Sequence, residues 1–183
     1  MIFDRESSLV EIVFNSQSGR LRVQRDSHGR YELNSPSRPP IKSEFEESSG
    51  ELLGALGVEC AEWVGKSRDH FVVIANQTAV AALKPDFERM VKFDTSSVIV
   101  TAPGDDLDFV SRNFAPGYGI DEDPVTGSAH CTLTPFWAQR LGKDQLHAKQ
   151  ISARGGELWC GLRGDRVAIA GNAVTYLKGQ ISI

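Results

Sequence analysis

The chain has 183 residues, 40% of them hydrophobic and 24% charged, with a formal net charge of -4. That length suits one large domain or two small ones with a real core, and the mild acidity gives no reason to expect nucleic acid or an anionic membrane as partner. There is no apolar run near the ~20 residues of a membrane span and no signal-peptide pattern at the start, and the widely spaced Cys60, Cys131 and Cys160, with no CxxC, fit a reduced cytoplasmic protein better than a disulfide scaffold.

Residues 9–34 read as a small antiparallel meander. Val10, Ile12 and Phe14 alternate with polar or smaller positions, Leu21 and Val23 follow a Ser18-Gly19 turn, and Tyr31 and Leu33 follow a His28-Gly29 turn. Residues 35–40 carry three prolines, which remove donors and fix φ, so a linker between subdomains is expected there. A short helix over 49–56 ends at Gly57, with Leu52, Leu53 and Leu56 inward. Strands follow at 62–64 and 70–75, a helix at 78–83 before Pro85, then strands at 97–102 and 109–114, the first nearly all apolar and so buried.

A long helix is predicted over 128–141, closed by Gly142. Ala129, Leu133, Phe136, Trp137 and Leu141 make it apolar over a wide arc, the mark of a buried helix. Pro135 lies inside it at a cost of about 3 kcal/mol in an exposed helix, which packing must offset. Strands near 147–153, 156–162, 166–170 and 173–178 complete the chain. Many short strands around few helices predict an α+β fold, a mixed sheet curling around a helix.

The stretch 119–131, GIDEDPVTGSAHC, carries the candidate chemistry. Asp121, Glu122 and Asp123 meet a proline and a Thr-Gly-Ser turn at the start of the long helix, where unpaired N–H groups and the dipole favour anions and polar groups. Asp123 is the candidate active-site carboxylate, able to hold an amine or hydroxyl or to exchange a proton; as a mere cap it would contribute a few tenths to ~1 kcal/mol. Gly127 would allow close backbone approach, and Ser128 and Ala129 would line the site with it; the ordinary alternative is a capped turn. No Gly-x-Ser-x-Gly elbow is present, which argues against an acyl-enzyme serine. His130 and Cys131 are neighbours on a helix and point ~100° apart, which disfavours a dyad; His130 suits solvent or core, and Cys131 suits a small core position. Three consecutive acids rarely converge on one ion, and no metal is expected. Arg154-Gly155-Gly156 is a weaker feature, either a turn or part of the same cleft.

Asp121-Glu122-Asp123-Pro124-Val125-Thr126-Gly127-Ser128-Ala129-His130, with Ser111-Arg112-Asn113-Phe114-Ala115-Pro116-Gly117 before it and Arg154-Gly155-Gly156-Glu157-Leu158 after it, resembles the PhzF-like phenazine-biosynthesis protein family. The resemblance implies a diaminopimelate epimerase-like fold of two lobes, each a curled sheet around a central helix, with the site between them. It places helix 128–141 at the centre of the C-terminal lobe, in residues 41–183. Residues 1–40 would be a remnant of the N-terminal lobe, matching only its closing strands. The implied chemistry is cofactor-independent isomerisation of a small carboxylate-bearing metabolite by proton transfer, with Asp123 catalytic and Gly127, Ser128 and Ala129 at the substrate. Ser128 stands where epimerase relatives place a cysteine near that helix start, which argues against a two-thiol racemase. The family's catalytic glutamate and its Gly-His helix start find no match in this sequence, so the expectation is one half of a two-sided site, inactive alone. The alternative is a non-catalytic small-molecule-binding or assembly protein. The unpartnered apolar residues of 9–34 predict a homodimer through that segment.

Overall fold

The computed structural model describes residues 10–16, 19–42, 46–177 and 179–180. Alternation at the start of the chain produces three strands, β1 (Glu11–Ser16), β2 (Gly19–Arg25) and β3 (Tyr31–Pro36). Ser18 of the first expected turn lies outside the described residues. At the second, Asp26 Oδ1 accepts from the backbone N–H groups of His28 and Arg30, and Gly29 takes a φ of 79°, which glycine tolerates best.

The sheet continues through β4 (Ile41–Lys42), β5 (Trp63–Lys66), β6 (His70–Val73), β7 (Val98–Pro103), β8 (Phe109–Phe114), β9 (Glu122–Asp123), β10 (Gln145–Gln150), β11 (Gly156–Arg163) and β12 (Arg166–Gly171). Its order is β1-β2-β3-β12-β11-β10-β8-β7-β6-β5-β4, with β9 paired to β8. The β6–β7 and β10–β8 pairs are parallel and the others antiparallel, so the sheet is mixed. Because β3 pairs with β12 from Tyr31↔Gly171 to Pro36↔Arg166, the expected boundary near residue 40 falls within one continuous sheet.

Among the described residues four α-helices accompany it: α1 (Glu46–Leu56), α2 (Gln77–Ala82), α3 (Phe87–Met90) and α4 (Gly127–Leu141). Period-2 alternation sorts β6, β7 and β8 onto two cores. Val72, Val98, Val100, Val110 and Phe114 face α1–α3, where Leu52 and Leu56 are buried. Phe71, Val73, Ile99 and Phe109 face α4, which β10, β11 and β12 also cover with Leu146, Leu158 and Val167. Helix α4 is buried continuously from Ala129 to Pro135 and again at Trp137 and Ala138, as its apolar arc predicts, although Leu141 is exposed. Trp137 anchors it: the indole stacks on Phe109 with centroids 5.6 Å apart, and Nε1 donates to Thr101 Oγ1 at 3.0 Å.

Pro135 deprives α4 of the hydrogen bond that residue 135 would give to the Cys131 carbonyl. The backbone N–H of Arg38 fills the gap, donating to Cys131 O at 2.9 Å. The proline-rich segment is thus partly strand, Ser35 and Pro36 belonging to β3, and partly a strap across α4. Proline is tolerated at a strand end, where its missing donor costs no ladder bond. The strand expected at 173–178 does not form: residues 172–177 are irregular, and Val174, Tyr176 and Leu177 are exposed. Both edges of β12, the strand it follows, are already taken by β3 and β11, so it cannot add beside its sequence neighbour. Two small elements carry no period long enough to read, α3, capped by Asp86 on Arg89 N–H, and β9, inside the acidic loop.

Candidate functional site

The three consecutive acids diverge. Asp121 is exposed, and its carbonyl accepts from Ala115 N–H. Glu122 forms a two-pronged pair with Arg112, Nε to Oε1 and Nη2 to Oε2, both at 2.8 Å, and Arg112 Nη1 also donates to the Leu83 carbonyl. That clamp holds β9 on β8. Among the described residues no group of three His, Cys, Asp or Glu side chains converges as a metal site.

Asp123 sits opposite Asn113 in the β8–β9 pair and is half-buried. Its Oδ2 accepts from Thr126 Oγ at 2.6 Å, and its carbonyl accepts from Gln150 Nε2 at 2.5 Å. Gln150 is fully buried at the end of β10. Its Oε1 accepts from Thr126 N–H at 2.8 Å, so one amide fixes both ends of the 123–126 turn.

This wiring has a consequence at the helix start. Thr126 is the N-cap residue of α4, where a threonine hydroxyl ordinarily accepts from the N–H two or three positions on. Here the hydroxyl gives its proton to Asp123 and accepts from Gln150 Nε2, and among the described residues no side chain caps the helix. The first-turn N–H groups, those of Gly127, Ser128 and Ala129, therefore remain available. The forgone cap is worth about 0.5–2 kcal/mol. A Cβ built at Gly127 meets nothing within 4 Å, so the approach to these donors is open. Gly127 and Ser128 are half-buried. The Ala129 side chain is in the core, leaving only its N–H for a ligand.

Gly127 and Val125 border a cavity of about 940 Å³ that Arg154, Gly155, Gly156 and Lys149 also line. The Arg-Gly-Gly feature thus reaches the same place as the acidic loop. Its glycines have separate reasons. Gly155 adopts a φ of 68°, and a Cβ on Gly156 would stand 2.5 Å from Val125 Cγ2. Ser152 ties the two loops, donating to Pro124 O at 2.7 Å and accepting from Gly155 N–H at 3.0 Å.

The neighbouring helix residues are core groups: the structure places His130 in the core rather than in solvent, and Cys131 in the core as expected. His130 is completely buried. Its Nδ1 donates to Thr126 O at 2.8 Å, which puts the ring proton on Nδ1, and burial pushes its pKa down to about 4. Burial raises the Cys131 thiol and drives that of Cys160 up to about 12, so neither is a ready thiolate. Two contributors have no local signal in the sequence. Gln150 lies 24 positions from Thr126, and Arg68, from the β5–β6 turn, puts Nη2 3.1 Å from Ser128 Oγ across 60 positions.

A family profile described as phenazine biosynthesis-like protein matches residues 3–179. An uncharacterized isomerase of Pseudomonas aeruginosa is 47% identical over 182 residues, covering 100% of this chain and 67% of its own length. A second from the same organism is 44% identical over 93% of this chain and 64% of itself. The human phenazine biosynthesis-like domain-containing protein is 35% identical over 93% and 65%. The chain thus spans about two thirds of the length of these relatives. The crystal structure of a PhzF-family phenazine biosynthesis protein from Enterococcus faecalis superposes with a TM-score of 0.90 at 38% identity, over 100% of this chain and 69% of that one. The α+β, diaminopimelate epimerase-like fold expected from the sequence is borne out. No helix among the described residues is long and apolar enough to cross a membrane.

Proposed function

Because the chain belongs to the phenazine biosynthesis-like protein family, we propose that its helix-start site serves isomerisation of a small carboxylate-bearing metabolite by cofactor-independent proton transfer. The observation that supports this reading is the diverted cap: Thr126 serves Asp123 rather than its own helix, so a carboxylate and a set of free N–H donors stand side by side above an open approach. The free N–H groups of Gly127, Ser128 and Ala129 would take the substrate carboxylate. Asp123, its Oδ2 already committed to Thr126, keeps Oδ1 for a substrate amine or hydroxyl or for the proton in transit. Positioned acid–base assistance contributes roughly 10²–10⁴-fold. Asp123 is one acid/base group, and a proton moved between two carbons calls for a partner from the facing side. This chain by itself is therefore proposed to bind its substrate and to turn it over poorly or not at all.

A second reading, a binding or assembly protein, is favoured by the exposed apolar face of β1–β3. Small amino- and hydroxycarboxylates followed by proton NMR in D₂O separate the two. Loss of a substrate C–H signal that depends on the chain, and that Asp123→Asn lowers by orders of magnitude while stability changes by no more than about 1 kcal/mol, supports the isomerase. Binding without exchange, or exchange indifferent to Asp123→Asn, supports the second reading.

A further inference from the structure

Arg68 reaches the helix start by a chain of contacts that begins at Pro135. The proline frees the Cys131 carbonyl, Arg38 N–H takes it at 2.9 Å, and Ser67 Oγ donates to the Arg38 carbonyl at 3.2 Å. The next residue is Arg68. The buried carboxylate of Asp69 fixes its plane, Oδ2 accepting from Nε at 3.2 Å and from Nη2 at 3.1 Å. Nη2 also donates to Ser128 Oγ at 3.1 Å, and Nη1 has no partner among the described residues. A surface arginine held only for solubility needs neither a buried carboxylate to orient it nor a strap to position it, since exposed side chains of this length ordinarily stay free. Arg38 and Arg166 add two further cations around Cys131, one helical turn below Ser128. A planar guanidinium with donors to spare beside free helix N–H groups suits a carboxylate, which accepts from several donors at once.

We propose that Arg68 is a specificity residue of this site, its guanidinium taking the substrate's acid group jointly with the N–H groups of Gly127, Ser128 and Ala129, so that the site selects anionic carboxylates over uncharged isosteres. This rests on the helix-start reading above and adds the substrate's charge class and the residue that reads it.

The test uses the ¹⁵N-labelled full chain, titrated separately with benzoate and with benzamide, which share shape and differ in charge. Shifts of the 127–129 amide signals report the affinities. The native chain should prefer benzoate by at least about tenfold, the size expected for a hydrogen bond to a charged group. Arg68→Met should bring the two affinities within about twofold of each other. Arg68→Gln, which keeps a polar contact to Ser128 without the charge, should do the same and stands in if the Met variant misfolds. Gly127→Val, whose side chain projects into the open approach, should remove binding of both probes. If Gly127→Val removes binding while both Arg68 variants retain the preference for benzoate, the role of Arg68 is overturned and the helix-start site stands. If the native chain binds neither probe, or Gly127→Val leaves binding unchanged, the helix-start site falls and the inference falls with it.

Discussion

Thr126 and His130 show how single residues are committed in this site. Thr126 occupies a capping position and does not cap; its hydroxyl orients Asp123 instead. His130 fills the space behind it as a neutral ring, with Nδ1 on the Thr126 carbonyl and Nε2 buried without a partner among the described residues. Neutrality makes His130 a source of acid sensitivity. The unfolded ring titrates near 6.5 and the folded one at about 4, so between those values the unfolded chain binds a proton that the native chain refuses. Stability from this residue is complete above 6.5 and is lost as pH falls toward about 4, to an extent on the order of 3 kcal/mol. Urea denaturation at neutral pH and near the lower limit should therefore show a larger loss for the native chain than for His130→Gln. His70, also held low by burial and set against Asp94, is present in both and cancels in the comparison. Equal losses would mean that the ring is not buried in its neutral form. At this scale Asp123, Gly127 and Ser128 could be offered as candidates from the sequence because they fall within one six-residue stretch. Arg68 and Gln150 were not, because their contacts depend on tertiary pairing that no local spacing encodes.

Among the elements, α4 was the most legible and its proline the least. The wide apolar arc announces a buried helix, and burial of its large side chains, about 1.5–3 kcal/mol each, outweighs one helix-breaking residue. The sequence could not reveal that the lost bond would be replaced from the proline-rich segment, which reads locally as a spacer. That replacement is testable by removing one donor. Arg38→Pro deletes the N–H that satisfies the Cys131 carbonyl and should cost about 1–3 kcal/mol, the range for an orphaned buried polar group. Arg38→Ala keeps the backbone donor and should cost clearly less. Similar losses in thermal or urea unfolding would assign the effect to the side chain and deny the strap its role. The failed strand at 173–178 teaches the complementary lesson. Its composition is that of a strand, but the strand it follows has both sides occupied, and strand order is a property of the whole sheet.

For the molecule as a whole, the open question is what covers the first three strands. Register puts Ile12 opposite Val23, Phe14 opposite Leu21, Val23 opposite Leu33 and Leu33 opposite Ile169, so these side chains share one face. The other face carries Glu11, Arg22 and Gln24 beside Val13 and is mainly polar. Toward β12 the apolar face is buried, with Ile169 at 5% exposure; away from it cover is lost, with Leu33 and Leu21 at 37% and Phe14 at 42%. Among the described residues β1 is also the edge of the sheet, with one row of backbone donors and acceptors left without a strand partner there. An apolar face beside a free edge is the usual ground for self-association, and a second copy, meeting the first about a two-fold axis, would satisfy both at once. A homodimer through residues 9–34 is therefore the expected state, and sedimentation velocity at micromolar concentration should give the dimer mass. Phe14→Glu puts a charge at the centre of the face and should shift the chain to monomer without loss of its helical circular dichroism, because Phe14 is remote from α4 in the strand order. A native chain that already sediments as a monomer would mean that this face is not closed by a second copy.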